Sequence, residues 1–321
     1  MKVVILDAKT LGDDIEFSAF EKFGELKVYP TTSPLQLNDR IKDADVIIVN
    51  KIKLDESNLP FAKKLKLICV TATGYDNIDI NYCWKNEIGV CNVKGYSTDS
   101  VAQVTVSMAL ALLTRLYQFD RYVKNGKYTL GGVQNHLKPY FNEITGKTWG
   151  IIGLGNIGRQ VARLATAFGM DVIVNPHRAV DGYNCVDLDY LCKKSDIISV
   201  HVPLTGETKG MINKKRIAMM KDDVIFINVS RGAVADEEAL TEAIENGKIG
   251  GLGIDVYSKE PMTNDSPYNR ILNRDNVILT PHMAWGAYEA RVRCMNEIVK
   301  NIETFFMGGK RNRVDLSKNT P

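Results

Sequence analysis

The chain has 321 residues, 45% of them hydrophobic and 25% charged, with a formal net charge of +3. That is about two ordinary domains of globular composition, long enough to bury sizeable cores, and a charge so near zero gives no reason to expect a nucleic acid or a membrane surface as partner. Six cysteines (Cys69, Cys83, Cys91, Cys185, Cys192 and Cys294) show no C-x-x-C or Cys/His spacing, so no metal is expected and they read as reduced thiols of a cytoplasmic protein.

The chain opens directly on a buried-strand run, Val3-Val4-Ile5-Leu6, so no signal peptide is expected. Helical spacing over 15–23, a strand over 26–29 and a helix over 35–41 follow. Val46–Val49 and Leu67–Val70 are two further all-apolar strands. Continuous apolar runs separated by helices predict a parallel sheet covered on both faces. The fourth strand leads into a loop, Thr71 to Asp79, that holds Gly74. Its backbone N–H groups suit a carboxylate, and it reads equally as a turn in which Asn77 or Asp79 caps the next helix. A long helix is predicted over 97–116. Its apolar stretch, 101–113, is interrupted by Gln103, Thr105 and Ser107 and is too short to span a bilayer. Residues 126–145 are irregular, with Gly131-Gly132 and Pro139.

Near Gly146 the alternation restarts. The run Thr148-Trp149-Gly150-Ile151-Ile152 ends in Gly153-Leu154-Gly155-Asn156-Ile157-Gly158 and passes straight into a helical pattern. This is G-x-G-x-x-G where it carries meaning, closing a strand and opening a helix. The first glycine makes the tight turn, the second lets a pyrophosphate approach the backbone, and the third lets helix and strand pack closely. Strands over 171–175, 197–202, 224–229, 251–256 and 277–279 alternate with helices over 188–193, 214–219 and 236–245, a doubly wound sheet. A final helix over 288–307 carries Val292, Met295, Ile298, Ile302 and Phe305 on one face, as if returning to pack on the first domain.

Three strand ends in this second sheet carry reactive side chains: Arg231, Glu260 and His282. Hydride delivery to a ketone leaves an alkoxide that needs a proton, and histidine supplies one near neutral pH. A neighbouring carboxylate fixes its tautomer, and arginine holds a carboxylate and a carbonyl oxygen in one plane. Singly each has a plain alternative: a structural histidine after Pro281, a surface glutamate, a helix-flanking ion pair. As a set after a dinucleotide motif they point to carbonyl reduction.

In this order, with His201-Val202-Pro203-Leu204-Thr205 and Thr208 between them, the motifs resemble the D-isomer-specific 2-hydroxyacid dehydrogenase family over nearly the whole chain. The resemblance implies an α/β fold of two doubly wound parallel-sheet domains. A Rossmann cofactor domain, 100–287, would be inserted into a flavodoxin-like substrate domain, 1–99 plus 288–321, and a homodimer would form largely through the cofactor domain. It implies that Arg231 binds a small 2-oxo or 2-hydroxy acid, His282 is the acid/base and Glu260 its partner. Thr73, Gly74 and Tyr75 would receive the carboxylate, with Trp285 also in the substrate site. Asp255 would contact the nicotinamide amide, Thr105 would lie near the cofactor phosphates, the loop His201-Val202-Pro203 would line the adenine side, and Thr208 would be a further cofactor contact. Gly153, Gly155, Asn156, Ile157, Gly158, Val229 and Gly286 would complete the cofactor contacts.

One departure bears on the cofactor. Members using NAD usually end the second Rossmann strand in an acidic residue that takes the ribose hydroxyls. Here the strand ends Asn175-Pro176-His177-Arg178, without a carboxylate there. That favours NADP(H), with Arg178 and His177 toward a 2′-phosphate, and leaves NAD(H) possible. The stretch 281–285 with Glu289-Ala290-Arg291 resembles the glycerate dehydrogenase/hydroxypyruvate reductase branch, which implies hydroxypyruvate or glyoxylate. The alternatives are a D-lactate-type or branched 2-oxo-acid reductase, and a dinucleotide-sensing corepressor-like binding protein.

Overall fold

The structure, a computed structural model, describes residues 1–316. The chain divides into two compact units, Met1–Ser97 joined by the chain from Gly286 onward, and Thr98–Trp285. The motif series implied crossings at 99/100 and 287/288; the units divide at 97/98 and 285/286.

The first unit holds strands β1 (Lys2–Ile5), β2 (Glu25–Val28), β3 (Val46–Val49), β4 (Leu67–Val70) and β5 (Gly89–Cys91), with helices α1 (Pro34–Ile41) and α2 (Ile80–Lys85) and the C-terminal helix Tyr288–Phe306. The strands form one sheet in the order β2-β1-β3-β4-β5, every pair parallel. That is the flavodoxin-like order. β3 and β4 are buried at all four positions because both faces are covered, which is why they read as unbroken apolar runs. α1 begins at a Ser33-Pro34 start, where Gln36 Oε1 takes the Ser33 N–H at 3.1 Å, and it buries Leu37 and Ile41 against Val4, Ile47 and Ile68. The C-terminal helix packs on β4 and buries Cys294, Met295, Ile298 and Ile302.

The helix expected over 15–23 is only a 3₁₀ segment, Ser18–Phe23. A single buried side chain, Phe20, gives it no apolar stripe to hold further turns, and Gly24 at φ +128° ends it.

The second unit holds helices α3 (Thr98–Leu113), α4 (Leu116–Lys124) and α5 (Lys127–Leu130), then β6 (Thr148–Ile152), α6 (Asn156–Ala167), β7 (Asp171–Asn175), β8 (Asn184–Cys185), α7 (Leu188–Lys194), β9 (Ile197–Val200), α8 (Lys214–Met219), β10 (Val224–Asn228), α9 (Glu237–Glu245), β11 (Ile249–Ile254) and β12 (Val277–Leu279). Its seven strands run β12-β11-β10-β9-β6-β7-β8, all parallel. Counted from β6 this is the Rossmann order, 3-2-1-4-5-6, with one more strand at the far edge, and the order reverses between β6 and β9.

The single helix expected over 97–116 is two helices that bend by 63°. Arg115 takes a left-handed φ of +55° and donates Nη1 to the Gly250 carbonyl at 3.0 Å, a tertiary bond that stops α3. α3 lies close on the sheet because Gly251 and Gly253 leave room for Leu112 and Met108. No residue of α4 or α5 is buried, and Leu130 at the end of α5 and Val133, Leu137 and Tyr140 beyond it are exposed. Among the described residues no single helix is long and apolar enough to cross a membrane, and no cluster of histidine, cysteine and acidic groups is placed to hold a metal ion.

Candidate active site

In open parallel sheets ligands bind beyond the carboxyl ends of the strands, at the point where the order reverses. In the second unit that point is the turn after β6. Gly153 sits at φ +91°, and a Cβ there would lie 2.7 Å from Val202 and 2.8 Å from the His201 carbonyl oxygen. A Cβ on Gly158 would lie 2.1 Å from the Gly153 carbonyl oxygen, so helix and turn touch there. Gly155, the residue before α6, has open space around it. Two glycines are thus needed by the fold, and the third leaves bare backbone at a helix N-terminus, the cradle a dinucleotide pyrophosphate requires. The residues present fit such a cofactor.

The rest of the expected cofactor set divides. Thr208 donates its hydroxyl to the Pro203 carbonyl at 2.6 Å and accepts the Thr205 N–H at 2.8 Å, which fastens the loop after β9. His201, at that loop's start, has Nε2 2.9 Å from Ser199 Oγ, which also takes the indole N–H of Trp149 at 2.9 Å. Burial pushes the His201 imidazole down to about 3, so it is neutral, and Nδ1 is buried without a partner. Asn175 donates Nδ2 to the Val186 carbonyl at 2.9 Å and so braces β8, while His177 and Arg178 are exposed. Thr105 is fully buried in α3, and its hydroxyl is donated to the Val101 carbonyl at 2.8 Å. Asn156, Ile157 and Gly158 form the first turn of α6, and Val229 is half-buried just past β10. Gly286 falls in the first unit and Trp285 in the second.

At the opposite edge the ends of β10, β11 and β12 lie side by side. His282 Nδ1 is 2.7 Å from Glu260 Oε2, with the two side chains 21% and 31% exposed. Glu260 Oε1 takes the Tyr257 N–H at 3.1 Å, so both carboxylate oxygens are engaged. An ionised carboxylate only accepts, so in this contact the proton sits on Nδ1. His282 sits at φ +53°, unusual for a side chain of its size. Asp255 holds that turn: Oδ1 accepts the Thr280 hydroxyl at 2.6 Å and the Met283 N–H at 2.8 Å, and Oδ2 the Ala284 N–H at 3.0 Å. Burial raises its carboxyl despite those bonds. Arg231 donates Nη1 to the Ser230 carbonyl at 2.8 Å, and its turn is pressed onto the next loop, since a Cβ on Gly232 would fall 2.1 Å from the Tyr257 carbonyl carbon. Glu260 and His282 are therefore in direct contact, and Arg231 reaches the same edge on the neighbouring loop.

In the first unit the loop after β4 is tied from behind. Thr73 donates its hydroxyl to the Val93 carbonyl at 2.8 Å. Asp79 caps α2 through the Tyr82 N–H at 2.8 Å, while Asn77 donates Nδ2 to the Ile52 carbonyl at 2.9 Å. The N–H groups of Gly74 and Tyr75 meet no acceptor among the described residues. Of the two residues offered as caps, Asp79 is the one that caps α2.

Two residues escaped the sequence reading. Tyr257 donates its hydroxyl to the Thr280 carbonyl at 2.9 Å and, pushed up to about 12 by burial, stays protonated there. Asp7, two residues past the end of β1, takes the N–H groups of Asn50 at 3.0 Å, Lys51 at 2.7 Å and Ile52 at 3.4 Å. An isolated aspartate after an apolar run is the only local sign of it.

Residues 106–284 match the family described as D-isomer specific 2-hydroxyacid dehydrogenase, NAD binding domain. The chain is 36% identical to a hydroxypyruvate reductase of Blautia hydrogenotrophica over 98% of its own length and 100% of the relative's. It is 34% identical to a glycerate dehydrogenase of Methylorubrum extorquens, over 98% and 99% of the two lengths. A crystal structure of D-lactate dehydrogenase from Aquifex aeolicus, complexed with NAD and lactic acid, superposes with a TM-score of 0.87 at 34% identity, covering 99% of this chain and 100% of that one. The chain belongs to the D-isomer specific 2-hydroxyacid dehydrogenases and is a pyridine-nucleotide-dependent oxidoreductase acting on CH–OH donors.

Proposed function

We propose that the enzyme reduces a small polar 2-oxo acid, hydroxypyruvate or glyoxylate, to the D-2-hydroxy acid, with His282 as the proton donor and NADPH as the favoured reductant. The observation that carries the mechanism is the 2.7 Å contact between His282 Nδ1 and Glu260 Oε2, on a sheet edge shared with Arg231. A bound nicotinamide dinucleotide supplies the hydride to substrate C2. His282 Nε2 gives its proton to the carbonyl oxygen as charge develops there, and Glu260 stabilises the imidazolium beforehand and keeps the ring in one orientation. The Arg231 guanidinium holds the carbonyl oxygen and one carboxylate oxygen in a plane. The Gly74 and Tyr75 N–H groups receive the carboxylate, and Trp285 bounds the substrate. In the oxidative direction His282 takes the hydroxyl proton.

The substrate class follows the names of the hydroxypyruvate reductase and glycerate dehydrogenase relatives, together with the tryptophan three residues after His282. For NADPH, the support is the absence of a carboxylate at Asn175 or Pro176, with His177 and Arg178 exposed just beyond. A homodimer through the cofactor unit is supported by the apolar side chains that α4 and the following segment leave in solvent, Leu130 at 87% and Tyr140 at 75% exposed. A cytoplasmic setting accords with six free thiols, five of them buried.

The experiment is a pair of kinetic assays, hydroxypyruvate reduction with NADPH and with NADH, compared by kcat/KM. Turnover dominated by NADPH supports both parts. Turnover dominated by NADH keeps the chemistry and discards the cofactor argument. No turnover with hydroxypyruvate, glyoxylate, pyruvate or branched 2-oxo acids removes the reductase reading in favour of a dinucleotide-sensing binding protein.

A further inference from the structure

We propose that Asn92 is a positioning residue for the substrate carboxylate: it fixes the orientation of the Thr73–Gly74 peptide, and Asn301 and Asn312 hold it in place. This rests on the reading of the Gly74 loop as the carboxylate receiver. A trans peptide is planar, and its C=O and N–H point in opposite directions. The Thr73–Gly74 bond is not among the cis peptides. Asn92, 1% exposed just after β5, donates Nδ2 to the Thr73 carbonyl at 2.7 Å. The carbonyl is thereby drawn toward the body of the unit, and the Gly74 N–H of the same plane is turned the other way. A flip of this peptide would present a carbonyl oxygen where the carboxylate is to bind, exchanging attraction for repulsion.

The support behind Asn92 is a ladder of amides, Asn301 buried and Asn312 half-buried. Asn301 donates Nδ2 to the Asn92 carbonyl at 3.0 Å, Asn312 donates Nδ2 to Asn301 Oδ1 at 3.0 Å, and the Asn92 N–H returns to the Asn312 carbonyl at 3.2 Å. Asn301 is fully buried in the C-terminal helix, on the stripe that also buries Ile298 and Ile302. An asparagine there is a poor helix former on an apolar face, and these two bonds are what it supplies in return. Asn92 Oδ1, meanwhile, is buried with no hydrogen-bond partner. A residue placed for stability alone would satisfy both ends of its amide. Here only the end that reaches the Thr73 carbonyl is used, which ties the residue to that loop.

The test uses the full-length enzyme and whichever 2-oxo acid it turns over best. Asn92→Asp keeps the volume, removes the donor and sets an oxygen against the Thr73 carbonyl. Because the carboxylate is held alike in ground and transition states, KM for the 2-oxo acid, and Ki for oxamate as a non-reacting carboxylate, should rise about ten-fold or more. The turnover number should change far less, and the NADPH dissociation constant, read by fluorescence titration, should stay within about two-fold. Asn301→Leu should move KM the same way by a smaller factor, and it carries the test if Asn92→Asp does not fold. A folded Asn92→Asp enzyme with unchanged KM overturns the proposal. So does one in which kcat, KM, NADPH affinity and melting temperature all worsen together, the mark of a structural role only. Failure of the functional reading looks different, since the wild-type enzyme would then turn over no 2-oxo acid at all.

Discussion

Glu260 Oε2 stands 2.7 Å from His282 Nδ1, and its other oxygen takes the Tyr257 N–H, so the carboxylate is fixed to its own loop while it fixes the histidine. His282→Ala should lower kcat by about 10²- to 10⁴-fold with little change in NADPH affinity. Glu260→Gln should lower kcat less, because an amide oxygen still accepts from Nδ1 and keeps the ring oriented. Steady-state kinetics of each variant checks both; a His282→Ala enzyme that kept most of its turnover would remove the acid/base assignment.

The three glycines after β6 should separate folding from binding. Gly155→Ala puts a methyl into open space at φ −79°, so the melting temperature should hold while NADPH binding weakens roughly ten-fold. Gly158→Ala drives a methyl to 2.1 Å from the Gly153 carbonyl oxygen and should destabilise the fold by about 1–3 kcal/mol. Thermal melts beside cofactor titrations decide it, and equal behaviour of the two variants would contradict the cradle.

Arg178 is exposed beyond a strand end, Asn175-Pro176, that carries no carboxylate. Arg178→Ala should reduce kcat/KM for NADPH by about ten-fold, the worth of a charge-assisted hydrogen bond, and leave NADH unaffected. Asn175→Asp should shift the preference toward NADH. If the ratio of the two efficiencies is the same before and after, Arg178 has no part in cofactor choice.

His201 gives a pH prediction with a definite sign. Burial lowers its folded-state value to about 3, against an unfolded value of about 6.5. Between those limits the unfolded chain binds a proton that the folded chain does not, so stability falls as the pH drops through that window, by at most about 1.4 kcal/mol per pH unit. His201→Gln should lack this component. Denaturant unfolding of both proteins from pH 7 to 4 measures it, and parallel curves would sink the assignment.

The strand runs 46–49 and 67–70 and the glycine turn were legible because their signals are local: apolar continuity in one case, a fixed spacing between strand and helix in the other. Arg231, Glu260 and His282 were legible as residues at strand ends, whereas their mutual contact needed the strand order. The end of α3 was not legible, since Thr114-Arg115-Leu116 contains neither glycine nor proline and the helix is stopped by a bond to Gly250 from a distant strand. Asn92 and Asn301 looked like ordinary polar residues, for their partners lie elsewhere in the chain.

The first sheet reverses its order between β1 and β3, and there Asp7 receives three successive backbone N–H groups from residues 50–52. Three such groups in a row make an anion hole, the kind of crevice that sheets of this order use for a phosphate. In this protein the hole is stoppered from inside by the chain's own carboxylate, so the crevice that the topology favours is already filled by a side chain of the fold. If the loop after β4 receives the substrate carboxylate as proposed, the acid group would land one strand away from the place that sheets of this order ordinarily offer an anion.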